Sequence, residues 1–180
     1  MIDRKQAIVL IKKYIKNEDL LQQSLIVEAI LRKIAKILGN NEETWGLTGL
    51  LYNIDYEYTQ GEPEKRGVFA SQLLEGLLPE DCNNAIKSNN YRYSDYIPST
   101  ALDKSLVATV AMTNFIISFI GITSLKNFSN INILRDKLNE PNFTDINLKK
   151  RILLCNDIGI SLNNFLQLNL KVIQDVLNKI

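Results

Sequence analysis

The segment that most constrains the fold is an uncharged run of twenty-one residues from Ser105 to Leu125, SLVATVAMTNFIISFIGITSL, bracketed by Lys104 and Lys126. It is long enough to cross a bilayer as a helix. Seven of its members (Ser105, Thr109, Thr113, Asn114, Ser118, Thr123 and Ser124) are polar, and Gly121 interrupts its end. Thr109, Thr113 and Ser118 share one helical face, as if lining something polar. With no second run like it, the expectation is a buried central helix around which other helices gather, and no membrane span.

The rest of the chain supports that expectation with helical periodicity throughout. Asp3 can cap a first helix to about Ile15, with Ala7, Ile8, Ile11 and Ile15 inward. Asn17 opens a second, ending at Gly39. Asn41 caps a third through Trp45 to Leu50 and Leu51. Pro63 and Pro79 sit in the first turns of a fourth helix through Leu74 and a fifth through Ser88. The tyrosine-rich NNYRYSDYIPS reads as a loop, in which Tyr91, Tyr93 and Tyr96 alternate with Arg92 and cover the core edge in preference to stacking on a base. The central helix follows Pro98 and Ser99. A mobile-looking connector, KNFSNINILRDKLNEPNF, precedes a helix near Asp145–Cys155, and Ser161 caps a last helix to Lys179. No strand alternation, repeat or linker divides the chain, so one all-α domain over residues 1–180 is expected. With 46% apolar residues it can bury a substantial core.

Composition narrows the function. Lys and Arg number 21 against 20 Asp and Glu, so no global field draws in nucleic acid or an anionic membrane. Cys82 and Cys155 are far apart and in no metal-binding spacing, and read as reduced, buried thiols of a cytoplasmic protein. MIDRKQAIVL is charged at once and lacks the apolar core of a signal peptide. Histidine is absent, which removes the commonest general base and the commonest transition-metal ligand.

The order of the segments KNEDLLQQSLIVEAILRKIAKILG, WGLTGLLYNIDYE, PEKRGVFASQLLEGLLPEDCNNAIKSNN and ALDKSLVATVAMTNFI resembles small bacterial HD-domain proteins, the HDIG-type metal-dependent phosphohydrolases. The resemblance covers about residues 3–120, and LCNDIGISLNNFLQLNL in the extension 121–180 is similar to that subgroup's C-terminal helices. It implies an HD-like helical bundle whose histidines and aspartates converge on one or two divalent metals. Here those ligand positions carry other residues. By the resemblance, Gln23 stands for the first histidine, Tyr52 and Asn53 for the His-Asp pair, Arg66 and Asn89 for two further histidines, and Val110 for the closing aspartate. Asp55, Pro63, Gly67, Lys87 and Asp103 remain family-like.

Neutral amides, a valine and a permanently charged guanidinium cannot replace imidazole and carboxylate around a transition metal. The resemblance therefore implies a scaffold whose metal chemistry is gone: no catalytic residue of the family, no metal and no cofactor. Taken alone, Gln23 is a mid-helix polar residue, Arg66 a solvated one, Val110 a core one, and Tyr52-Asn53 a helix end. Asp55 and Asp103 suit helix-end capping and ion pairing. Three functions stay open. The first is a small-molecule-binding or protein-interaction module, with Tyr52, Asp55 and Arg66 as candidate contacts for a neutral or anionic ligand. The second is a repurposed, metal-independent enzyme using the same three residues. The third is a structural oligomer subunit, whose trace would be an apolar patch on the last helix, LNNFLQLNLKVIQDVL.

Overall fold

The computed structural model describes residues 1–140, 143 and 145–179, and among these residues the chain forms ten α-helical segments. They are α1 (Arg4–Tyr14), α2 (Glu18–Ile37), α3 (Glu42–Leu51), α4 (Val68–Leu73), α5 (Glu80–Ser88), α6 (Ala101–Ile120), the single turn α7 (Ile122–Leu125), α8 (Ile131–Asn139), α9 (Ile146–Asp157) and α10 (Leu162–Leu177). No strand occurs among the described residues.

The helices begin where short polar side chains can satisfy free amides. Asp3 accepts from the Gln6 amide while the Gln6 side chain accepts from the Asp3 amide, a reciprocal capping box at α1. Asn17, Asn41, Asp145 and Ser161 cap α2, α3, α9 and α10 in the same way through one side-chain oxygen each. At α6 the box is formed by Thr100 and Asp103, directly after Pro98 and Ser99. The capping role foreseen for Asp103 is the observed one.

Thirteen of the twenty residues of α6 are buried, and the helix packs against α2, α5, α9 and α10 while touching α3. The uncharged run is thus the axis of the fold, covered by neighbours, as expected. The helix α6 ends at Gly121, which adopts φ +78°. Of the three residues expected on its polar face, Thr109 and Thr113 are buried with no hydrogen-bond partner among the described residues, whereas Ser118 is exposed and donates to the Phe115 carbonyl at 3.1 Å.

α2 and α3 pack closely because Gly49 has no side chain: a Cβ there would stand 2.9 Å from the Val27 carbonyl oxygen. Across this contact, buried Glu28 accepts from Arg4 Nε at 2.6 Å and from Arg32 Nε at 3.0 Å, and Arg32 continues to Glu43 at 2.7 Å. One network of charges therefore ties α1, α2 and α3 together. A single continuous apolar core runs from Ala7 on α1 to Leu177 on α10, so the C-terminal helices share it.

Four expectations need correction. The fourth helix does not run from Pro63 to Leu74: residues Pro63–Lys65 form a 3-10 turn, Arg66 is extended, and α4 starts only at Val68. Gly67 breaks the run by adopting φ +82°. The segment taken as a mobile connector contains α8, whose Leu134 and Leu138 are buried; Pro141 and Asn142 at its end lie outside the described residues. On α10 the apolar side (Phe165, Leu166, Leu170, Val172, Ile173 and Leu177) is consumed by the core, so the exposed patch expected there is absent. In the tyrosine loop, Tyr93 and Tyr96 are 53% and 43% exposed and do not cover the core edge.

Candidate functional site

A cavity of about 280 Å³ opens where α2, the ends of α3 and α5, the middle of α6 and α9 meet. Its wall contains all six positions singled out above: Gln23, Tyr52, Asn53, Arg66, Asn89 and Val110. They come from separate stretches of sequence, and the helix ends bring them together. Tyr52 and Asn53 leave α3 in its last turn, Asn89 ends α5, and Val110 faces inward from mid-α6. Leu20, Tyr56, Asn90, Asn114 and Arg151 complete the wall.

The wall is held from behind by hydrogen bonds. Ser24 Oγ lies 2.7 Å from Asn53 Oδ1 and 3.0 Å from the Leu20 carbonyl. One hydroxyl proton cannot serve both, so the Asn53 amide can sit either way round; whichever end faces away from Ser24 has no partner among the described residues. Asn90 Nδ2 donates to the Pro63 carbonyl at 2.6 Å and the Arg66 carbonyl at 3.1 Å, tying the end of α5 to the turn before α4.

Arg66 is half-buried and lies flat on Tyr56, its guanidinium carbon 4.2 Å from the ring centre. Its Nε donates to Thr59 Oγ1 at 3.3 Å. No carboxylate pairs with it among the described residues. Arg151, from α9, donates through Nη2 to Asn89 Oδ1 at 3.1 Å, while its Nε is buried without a partner. Burial pulls the Arg151 pKa below its usual value, yet a guanidinium stays protonated.

Asp55 is not part of the wall. Its fully buried carboxylate points behind the cavity, where Oδ2 accepts from the Gly67 amide at 2.7 Å and the Ala70 amide at 3.0 Å. It acts as an N-cap for α4 supplied from another segment, and of the three ligand-contact candidates only Tyr52 and Arg66 face the cavity. Burial raises the Asp55 pKa above the ordinary carboxylate value, the backbone bonds opposing the shift. Burial also raises that of Tyr52, which therefore keeps its phenolic proton through alkaline pH.

The wall offers a divalent metal neither imidazole, thiolate nor carboxylate, and among the described residues no group of three such side chains occurs anywhere. Two guanidinium charges would repel a cation there. The donor set does not fit the metals that the HD resemblance implies for its family.

Five wall residues were not foreseen: Leu20, Tyr56, Asn90 and Asn114 lie within the stretches that carry the resemblance, and Arg151, the charged one, lies beyond them. For Arg151 a signal was nevertheless present. On α9, Leu148, Arg151, Cys155 and Ile158 fall at helical spacing, with Cys155 and Ile158 buried, so a charge sits on an otherwise apolar stripe.

No protein-family model, no curated protein and no solved structure matches the chain.

Proposed function

We propose that this chain is an HD-like domain that has exchanged its metal centre for a metal-free cavity, and that it serves as a non-catalytic module binding a small organic molecule. The observation that carries the reading is the convergence of Gln23, Tyr52, Asn53, Arg66, Asn89 and Val110 on one cavity. Unrelated surface and core residues have no reason to meet in this way, whereas the former ligand positions of one metal site do. The volume of about 280 Å³ lies at the small end of ligand clefts, which span roughly 300–1,000 Å³. It suits a metabolite-sized ligand.

The wall also speaks for binding over turnover. With Asp55 buried outside the wall and Tyr52 held protonated, neither serves a ligand in the cavity as a base at neutral pH. The cavity wall contains no serine, threonine, cysteine or lysine to act as a nucleophile.

A test is thermal melting against a panel of nucleotides, acyl compounds and carboxylates, with Val110→Trp as a variant that fills the cavity. Binding to the folded state raises the melting temperature with ligand concentration. The expected result is a set of hits that Val110→Trp abolishes without unfolding the protein. Hits that survive the filled cavity, or a panel without any hit, would remove the small-molecule reading.

A further inference from the structure

Arginines in this protein divide into two kinds. Arg4, Arg32 and Arg135 each have a carboxylate within 4.0 Å. Arg66, Arg92 and Arg151 have none among the described residues; Asp55 acts on Arg66, and Asp145 on Arg151, only from beyond ion-pairing distance. Arg92 is exposed to water, which solvates it. Arg66 and Arg151 are half-buried, and both line the same cavity.

Half-buried charge without a counter-charge is costly, and folded chains pair or solvate it. Nothing else in the wall supplies the missing negative charge, since every other member is apolar, an amide or a tyrosine. The two guanidiniums are also pre-oriented. Arg66 is fixed on the Tyr56 ring and by Thr59, and Arg151 by Asn89, with the Nε of Arg151 left free. A planar fork held in place with an unused donor is the group of choice for an oxyanion. Leu20, Val110 and the Tyr52 and Tyr56 rings then give an apolar side to whatever carries that oxyanion.

We infer that the cavity is a two-arginine anion site, taking a small organic molecule with a carboxylate or phosphate headgroup, clamped between Arg66 of the core and Arg151 of α9. This rests on the reading of the cavity as a ligand site and adds the sign of its ligand. It also gives the C-terminal helices a part in binding, because Arg151 lies on α9, outside residues 3–120. An anion bridging the two arginines couples α9 to the turn before α4.

The experiment uses benzoate, benzamide and benzylamine, which share a ring and differ in charge, with inorganic phosphate as a headgroup alone. Melting of the full chain is followed against each. Benzoate should stabilise in a concentration-dependent way, benzamide far less, and benzylamine not at all. Arg151→Gln should weaken benzoate binding by about 10- to 100-fold, the range for one charged hydrogen-bonding partner. Should Arg151→Gln perturb folding, Asn114→Asp gives an independent reading. Asn114 is an exposed member of the wall, so a carboxylate there opposes the anion without altering the core. It should weaken benzoate much more than benzamide. Phosphate binding as tightly as benzoate would assign recognition to the headgroup, and benzoate alone would assign it to headgroup and ring together; both support the inference. Equal stabilisation by benzamide and benzoate, or benzoate binding unmoved by both variants, overturns it while leaving a small-molecule cavity in place. Absence of any shift by either anion overturns it too, whatever the wider panel shows.

Discussion

Asp55 accepts the backbone amide of Gly67 at 2.7 Å, across twelve residues of sequence, and Gly67 answers with a left-handed φ of +82°. This pair sets where Arg66 stands. The carboxylate holds the amides of Gly67 and Ala70, so the chain must turn sharply before α4, and the residue before the turn is delivered to the cavity wall. Asp55→Ala leaves two buried amides without an acceptor and should cost about 2–4 kcal/mol of stability. Asp55→Asn keeps one acceptor oxygen and should cost distinctly less. Chemical denaturation checks both. Equal stability of Asp55→Ala and the parent chain would show that the bonds contribute nothing.

Gly67 itself admits no side chain. A Cβ there would lie 2.8 Å from the Ile86 carbonyl oxygen and 3.2 Å from Lys87 Cα, both backbone atoms that cannot swing aside. The left-handed conformation adds its own penalty for any other residue. Gly67→Ala should therefore destabilise by roughly 1–3 kcal/mol or more, and should also disturb ligand binding by moving Arg66. At Gly39, where a Cβ would meet nothing within 4 Å, alanine carries the conformational penalty alone and should cost less.

How much of this was legible in the sequence depends on what each residue answers to. Caps and helical stripes are local, so Asp3, Asn17, Asn41 and Ser161 announced their helices. Gly67 did not announce its break, because the reason for the turn lies in Asp55, a contact between segments that local pattern cannot carry. The six wall positions were legible only through the order and spacing of whole segments. Arg151 was hidden by its neighbours: LKKRILL reads as a solvated run of cations, and only the helical phase of α9 turns the third one inward. The tyrosine loop misled for a similar reason. Aromatic content suggested cover for the core, whereas Lys87 lies 4.7 Å from the Tyr96 ring centre and leaves that ring at the surface.

Acid pH gives a third prediction. The folded-state pKa of Asp55 is raised above its ordinary value. Between the two values the folded protein binds more protons at this site than the unfolded chain, so this group's contribution to stability falls as pH rises through the folded pKa. It is fully present below the unfolded pKa. Glu43, held low by Arg32, acts in the opposite sense, so the isolating measurement is a difference. Stability of the parent chain minus that of Asp55→Asn, followed from acid to neutral pH, should decline as pH rises. A difference that climbs with pH would reverse the assignment.

Glu28 supports a fourth. It is buried, accepts from both Arg4 and Arg32, and joins three helices. Glu28→Ala leaves Arg32 half-buried with Glu43 alone. The loss should be roughly 2–3 kcal/mol, below the ~3–5 kcal/mol typical when a buried pair is broken, because the Arg4 side chain is 52% exposed. The double variant Arg4→Ala, Glu28→Ala should lose less than the sum of the two single changes, which a double-mutant cycle measures directly. Strict additivity would mean that the two residues do not interact.

Metal content supplies the last prediction. The purified protein should carry far less than one equivalent of zinc, iron or manganese, and should hydrolyse no phosphoester by a metal route. The stronger form concerns the double change Tyr52→His, Asn53→Asp, which introduces the two residues that name the HD family. It should not restore stoichiometric binding, because Gln23, Asn89 and Val110 still offer no strong ligand and the Arg66 and Arg151 charges still face the same space. Magnesium or calcium held weakly at the surface is immaterial, since scattered carboxylates and carbonyls bind hard cations. Elemental analysis finding close to one equivalent of a transition metal in the parent chain, lost on changing Asn53, would restore the metal centre to this cavity. Removing the two arginines from that double variant separates missing ligands from repulsive charge. If Arg66→Ala and Arg151→Ala on that background bring metal in, the guanidiniums were the barrier; if they do not, the absence of ligands at Gln23, Asn89 and Val110 was.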